Sequence, residues 1–358
     1  MSKSIDFGPI KKLLDDPEIS EIMINSHDKV FVEKKGKKTN TGILFQNKEE
    51  LDKLIRNIFE GHNRRIDQDI PFADLCMEDG TRINAIIPPL SRFGSAVTFR
   101  KFSQTIKTLD DLVKLGMLNQ KAADLLVACV KGRINMIFSG GTGVGKTTLL
   151  QILSQYFSPE ERVVTIEDAA ELQISQENVI SLETRHADVN GKGEVTLRDL
   201  IRNALRMSPD RLIFGEIRGL EAIDMLQAMA TGHAGSIGII HGNSPKEAIS
   251  RLESLVLMLG LNLSSTEIKR MIAGTINLIV HMERFPDGVR RITYITEIRD
   301  LKGDELVFND LFTFQQERRE IGGPVVGQLK LALKYYPLFF PRFEKEGLVT
   351  GKNFATDY

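Results

Sequence analysis

Eight consecutive residues carry the most specific chemical signal in the chain: Gly140-Gly141-Thr142-Gly143-Val144-Gly145-Lys146-Thr147, which fit the pattern G-x-x-x-x-G-K-[ST]. Glycines let such a loop curl until successive N–H groups point inward at phosphate oxygens. Lys146 would neutralise β/γ-phosphate charge, and the Thr147 hydroxyl could ligate Mg2+. Thr148-Leu149-Leu150 opens a helix whose N-terminus favours anions. An apolar strand, Met136-Ile137-Phe138, precedes the loop, so the motif stands in the strand–loop–helix context it needs. A phosphate loop only binds. Hydrolysis also needs a carboxylate for the metal and a group that positions water.

Those groups belong at strand ends, because open parallel sheets hold ligands beyond the carboxyl ends of their strands. Val163–Ile166 ends in Glu167-Asp168-Ala169-Ala170-Glu171, Leu212–Gly215 in Glu216-Ile217-Arg218, and Ile237–Ile240 in His241. Any one of these reads alone as a solvated charge or a structural histidine. As a set they indicate a nucleotide-hydrolysis site. The residues do not choose between Glu167, Asp168 and Glu171, although Glu167 and Glu171 share a face if that stretch is helical. His233 is as well explained by structure as by chemistry. Hydrolysis of this kind also takes positive charge that stabilises the transition state. The candidates are Arg82, Arg92 and Arg100 in the first part of the chain and Arg185, Arg198, Arg202 and Arg218 in the second.

The elements that must position these residues fall into two classes. Residues 1–100 read as a small α+β unit: helical spacing over Ile5–Leu14, short strands at Glu21–Asn25 and Lys29–Lys34, and a helix opened by Asn47 and Glu50. Strands at Phe72–Met77 and Arg82–Ile87 flank an Asp79-Gly80 turn, and Ala96–Arg100 supplies one more. Residues 101–108 form a linker. From Leu109 to 313, helical stretches alternate with apolar strands (Asn135–Ser139, Arg162–Ile166, Arg211–Gly215, Ser236–Ile240), which predicts an α/β domain with a mostly parallel sheet. With a strand between the phosphate-loop strand and the Glu216 strand, the sheet resembles the RecA-like branch of ATPases. Residues 314–358 form a tail.

With 358 residues and 42% hydrophobic content, the chain can bury a sizeable core. Lys plus Arg is 47 against 48 for Asp plus Glu, so a globally basic nucleic-acid binder is excluded. The two cysteines, Cys76 and Cys129, have no zinc or disulfide pattern, which suggests a reducing compartment. The longest run without a charge, Met225–Pro245, holds two histidines and four glycines and is a poor bilayer span. The expectation is a cytoplasmic protein that reaches a membrane only through partners.

In this order, the four elements resemble the secretion ATPase superfamily that drives type II and type IV secretion and pilus machines. There Gly140–Thr147 is the Walker A loop, Glu167–Glu171 the "Asp box", Glu216 the Walker B acid and His233–His241 the "His box". Gly191–Leu200, Arg202–Met207, Arg64–Asp67 and Asp79–Pro89 look like the tight-adherence (Tad, CpaF-like) pilus ATPases. Gly238-Ile239 stands where a Ser-Thr pair is usual, and Gly242 where Ala is common; Ser208 replaces a frequent basic residue. The resemblance implies ATP and Mg2+ as cofactors, a homo-hexamer at the inner face of the cytoplasmic membrane, and inner-membrane pilus platform proteins as partners. It gives Glu171 the role of base or water orienter, Glu216 that of Mg2+ holder with Thr147, and His241 that of γ-phosphate sensor. Arg218 joins the catalytic set, and Arg82 and Arg100 are the arginines acting in trans. Nucleic acid is not expected, since no basic run is interleaved with aromatics. A conjugation-type type IV secretion ATPase is the alternative, and a nucleotide-gated scaffold with little turnover a third reading.

The tail carries Tyr335, Tyr336, Phe339, Phe340 and Phe343 close together among basic residues. Pro337 and Pro341 forbid one continuous helix, which predicts a short bent hook. Packing onto the second domain's sheet or onto a neighbour in the ring is the favoured role for it, and docking on a membrane platform the other.

Overall fold

The structure, a computed structural model, describes residues 5–34, 36–62, 64–77, 79–101, 106–185, 187, 191–319 and 323–348. It divides into two compact units, Met1–Ile106 with Ala187–Glu194, and Lys107–His186 with Val195–Tyr358. The predicted linker falls largely outside the described residues, at 102–105.

The first unit contains α1 (Lys11–Asp15), β1 (Ile19–Ser26), β2 (Lys29–Lys34), β3 (Lys37–Asn40), α2 (Lys48–Gly61), β4 (Phe72–Cys76), β5 (Arg82–Ile86) and β6 (Ala96–Arg100). Its six strands form one sheet in the order β3-β2-β1-β6-β5-β4. The Asn47 side chain accepts the Glu50 N–H at 2.9 Å, while the Glu50 carboxylate reaches one residue past the cap to accept the Gln46 N–H, so only the first half of the capping box forms as expected. This start sets Leu51, Leu54, Ile55, Ile58 and Phe59 on one face of α2, buried with Ile22, Val30, Val97 and Phe99 from the sheet. β3 is not visible in the sequence pattern, because all four of its residues are exposed and none alternates apolar with polar. The helix expected from Ile5 begins only at Gly8, whose φ is +51°, and is confined to a short turn over Gly8–Ile10 and α1.

The second unit is built on a nine-stranded sheet, β15-β14-β13-β12-β7-β11-β10-β8-β9. In chain order its elements are α3 (Leu109–Lys114), α4 (Gln120–Lys131), β7 (Met136–Gly140), α5 (Lys146–Ser154), β8 (Val163–Glu167), β9 (Val179–Glu183), α6 (Leu197–Ala204), β10 (Arg211–Ile217), α7 (Glu221–Ala230), β11 (Ile237–Ile240), α8 (Pro245–Leu257), α9 (Ser265–Thr275), β12 (Leu278–Arg284), β13 (Arg290–Lys302), β14 (Glu305–Arg319), β15 (Val325–Leu331) and α10 (Phe340–Lys345). Pairing is parallel from β12 across to β9 and antiparallel from β12 outward to β15, so the sheet is mixed and mostly parallel. β11 lies between the phosphate-loop strand β7 and the Glu216 strand β10. Strands β7, β8 and β11 are buried at every position, as strands covered on both faces must be.

The chain does not leave the sheet at Phe314. That residue sits inside β14, which pairs with β15, and its ring packs 5.1 Å from Phe285. Gly327 makes room for it: a Cβ there would lie 2.6 Å from the Phe314 ring. Beyond β15 the aromatic segment folds back onto this unit. Phe339, Phe340 and Phe343 are buried, whereas Tyr335 and Tyr336 stay half exposed. Buried Glu297 accepts the Leu338 N–H at 2.6 Å, and buried Asn309 donates to the Tyr335 carbonyl at 3.0 Å. No helix among the described residues is long and apolar enough to cross a membrane.

Candidate active site

The phosphate loop is shaped by left-handed backbone at Gly140, Gly143 and Gly145, with φ of 143°, 72° and 101°. At Gly140 the space is also closed, since a Cβ would lie 2.2 Å from the Met282 carbonyl oxygen of β12. Lys146 opens α5 with its ammonium buried, donating to the carbonyls of Gly140 at 2.9 Å and Gly141 at 2.6 Å. It thus lies along the inner curve of Gly140–Gly145. Thr147 and Thr148 follow in the first turn, both half-buried.

Glu216 owes its position to a bulge. The register of β10 on β11 slips between Phe214 and Glu216, leaving Gly215 as the extra residue. A Cβ on Gly215 would press on Glu167 Cγ at 3.1 Å, so a small residue fits where the bulged strand meets β8. The re-aimed carboxylate meets Arg218 Nη2 through Oε2 and contacts His241 Nε2 through Oε1. Burial alone would raise the Glu216 pKa. The Arg218 hydrogen bond and the charges of Arg218 and Lys146 outweigh it and hold the carboxyl below its ordinary value. Burial, then the positive charge of Lys146, pushes His241 below the usual histidine value despite Glu216, so the ring is neutral at pH 7. The site is thus an ionised carboxylate, a neutral imidazole and an ammonium at one sheet edge.

The acidic run after β8 divides by what each carboxylate does. Glu167 is 3% exposed, and its Oε1 accepts the backbone N–H groups of Glu171 at 3.1 Å and Leu172 at 3.2 Å. It therefore fixes the turn on which Glu171 is carried. Asp168 is exposed and Glu171 half-buried, and both are near enough to Arg218 to favour its charged form. His233 lies at the opposite end of β11 from His241. There its Nδ1 bonds the Ala228 carbonyl at the close of α7, which is a structural position. The two departures in the His box have packing causes. A Cβ on Gly238 would lie 2.8 Å from Met225 Sδ of α7, and one on Gly242 would lie 2.8 Å from the Ala248 backbone nitrogen of α8.

Two residues at this edge were not anticipated. Arg290 of β13 donates to the Gly143 carbonyl at 2.8 Å, so a strand distant in sequence braces the phosphate loop. His281 of β12 is wholly buried beside Ser139, at the foot of the loop. Neither belongs to a local motif, and only the β12–β7 pairing brings them here. Arg82 and Arg100 lie in the first unit, directly opposed across β5 and β6 and hence on one face, with Arg100 paired to Glu21.

Residues 3–287 match the family model described as "Type II/IV secretion system protein". The chain belongs to that family. A putative conjugal transfer protein of Mycobacterium tuberculosis is 33% identical over 302 residues, covering 83% of this chain and 85% of that protein. The protein VirB11 of Agrobacterium fabrum is 32% identical over 306 residues, covering 76% and 87%. The pilus retraction motor PilT with bound ADP matches with a TM-score of 0.59 at 18% identity, over 96% of this chain and 88% of that one. The ATPase DotB of Legionella pneumophila matches with a TM-score of 0.57 at 20% identity, over 80% and 78%. These two structures share the fold described above, an α/β core preceded in the chain by a small domain. The similar proteins named here include conjugal transfer and VirB11 proteins, and the resemblance to Tad ATPases remains a reading of sequence segments.

Proposed function

We propose that this family member hydrolyses ATP as a hexameric motor at the cytoplasmic face of a membrane secretion machine. The observation that carries the reading is the convergence of Lys146, Glu216 and His241 at one sheet edge, beside a loop built for phosphate. Loop N–H groups and Lys146 hold the phosphates of ATP. The Thr147 hydroxyl and the ionised Glu216, directly or through water, suit a hard cation and would hold Mg2+, which supplies charge neutralisation between the phosphates. Glu171 orients the attacking water from the turn that Glu167 fixes. His241, which engages Glu216 in this structure, donates to the γ-phosphate when nucleotide is present, and Arg218 balances charge at the same strand end. Arg82 or Arg100 of a neighbouring copy supplies the remaining positive charge.

The names of the relatives favour a conjugation-type type IV secretion system as the machine served. The Tad-type pilus reading stands on Gly191–Leu200, Arg202–Met207, Arg64–Asp67 and Asp79–Pro89. Steady-state ATP turnover tests the chemistry: the chain should hydrolyse ATP, and Lys146→Ala should abolish nucleotide binding by removing a charge-assisted contact. Mixing Arg100→Ala with Lys146→Ala should recover some activity at interfaces that combine one intact loop with one intact arginine. Full activity in a demonstrated monomer overturns the shared site. In cells, a deletion that abolishes DNA transfer supports the conjugation reading; loss of pili with transfer intact replaces it.

A further inference from the structure

β12 runs parallel to β7 with His281 opposite Ser139 and Met282 opposite Gly140, the last residue before the phosphate loop turns. His281 is 0% exposed, and its Nδ1 lies 2.8 Å from Ser139 Oγ. Its Nε2 has no hydrogen-bond partner of good geometry among the described residues. Glu283 Oε1 is 3.7 Å away, and the backbone of Asn243, two residues beyond His241, is the polar group that the ring approaches. Asn243 is itself tied to α8, donating to Glu247 Oε1 at 2.8 Å, while Ser244 caps that helix.

Burial holds the His281 pKa below its ordinary value against the pull of Glu283, so the ring is neutral and carries one N–H. The Ser139 hydroxyl can donate to Nδ1, which leaves the ring hydrogen on Nε2. Buried polar atoms are nearly always hydrogen-bonded, and one left short of its partner calls for an explanation.

We infer that His281 is a positioning residue that couples the phosphate loop to the segment carrying His241: its Nδ1 holds Ser139, and its Nε2–H closes on the Asn243 carbonyl when His241 leaves Glu216 for nucleotide. The inference rests on the ATP-hydrolysis reading above. It makes the γ-phosphate, rather than nucleotide in general, the group that His281 helps the site to register.

The test compares binding of ADP and of a non-hydrolysable ATP analogue to the full chain, alongside steady-state turnover. His281→Asn keeps a polar group at the Nδ1 position and cannot reach Asn243, whereas His281→Gln reaches Asn243 and loses Ser139. Both variants should bind ADP within about threefold of the wild type and lose the preference for the ATP analogue. Their kcat should fall roughly tenfold with KM little changed, the size of one buried hydrogen bond. Either variant overturns the inference if it folds with the wild-type Tm and keeps both kcat and discrimination. Equal loss of affinity for both nucleotides also overturns it, since that is the mark of a structural histidine. In the unmutated chain, the imidazole Nε2–H resonance of His281 should move with the ATP analogue and not with ADP; no movement refutes the coupling whether or not the variants fold. Discrimination is read from binding, so a wild type without turnover counts against the hydrolysis reading alone.

Discussion

Glu167 and Glu171 stand four residues apart after one strand, and their surroundings separate them. Glu167 spends its carboxylate on two backbone N–H groups, while Glu171 is carried on the turn so formed, near Arg218. Glu171→Gln should therefore retain ATP and lose turnover by a factor on the order of 100 or more, as expected for a base or water-positioning group. Glu167→Gln keeps an acceptor oxygen for the turn and should lose much less. Parallel measurements of nucleotide affinity and steady-state turnover decide it: a dead Glu167→Gln beside a normal Glu171→Gln reverses the two roles. Sequence spacing could not make this choice, because it depends on the direction in which the chain turns after β8.

Among the elements, the β12–β13 hairpin does most for the site that local sequence does not announce. Pro286-Asp287-Gly288 is legible as turn chemistry, but nothing in it says that the hairpin extends the sheet beside β7. Asp287 locks the turn to the next strand pair, accepting the Val325 N–H at 2.9 Å and pairing with Arg291 at 3.1 Å. Burial opposes its charge, but these bonds and the Val289 N–H hold the carboxyl at about 2. A depressed folded pKa means that the group stabilises the fold above its unfolded value and that this is lost as pH falls toward about 2. Asp287→Asn should thus cost about 1–3 kcal/mol at pH 7. In urea melts, the gap from wild type should narrow steadily below the ordinary carboxylate range of about pH 4. A gap independent of pH would mean that charge at Asp287 is not what holds the turn.

For the molecule as a whole, the open question at the sequence level was the aromatic C-terminal segment. It packs on the second unit: Phe343 is 0% exposed, and its ring occupies the space above Gly132, where a Cβ would lie only 2.2 Å away. Phe343→Ala should cost roughly 3–5 kcal/mol, the range for deleting a buried aromatic ring. Gly132→Ala should destabilise as well, by forcing the same ring outward. Thermal melts check both, and wild-type stability in either would detach the hook from the fold. Tyr335 and Tyr336 remain at the surface, so exchanging them for Ser tests docking without disturbing the buried rings.

The amino-acid sequence alone determined the phosphate loop, the parallel alternation that follows it and the acids and histidine at successive strand ends. These features are local: a loop motif, a two-residue or helical period, and a strand terminus each occupy a short stretch of chain. Tertiary structure decided what depends on residues far apart meeting. It aimed Glu216 by a bulge at Gly215 where β10 meets β11. It also brought Arg290 and His281 to the phosphate loop across about 140 residues of chain. Strand pairing sets such neighbours, and pairing follows from which buried faces fit together rather than from any pattern within one strand.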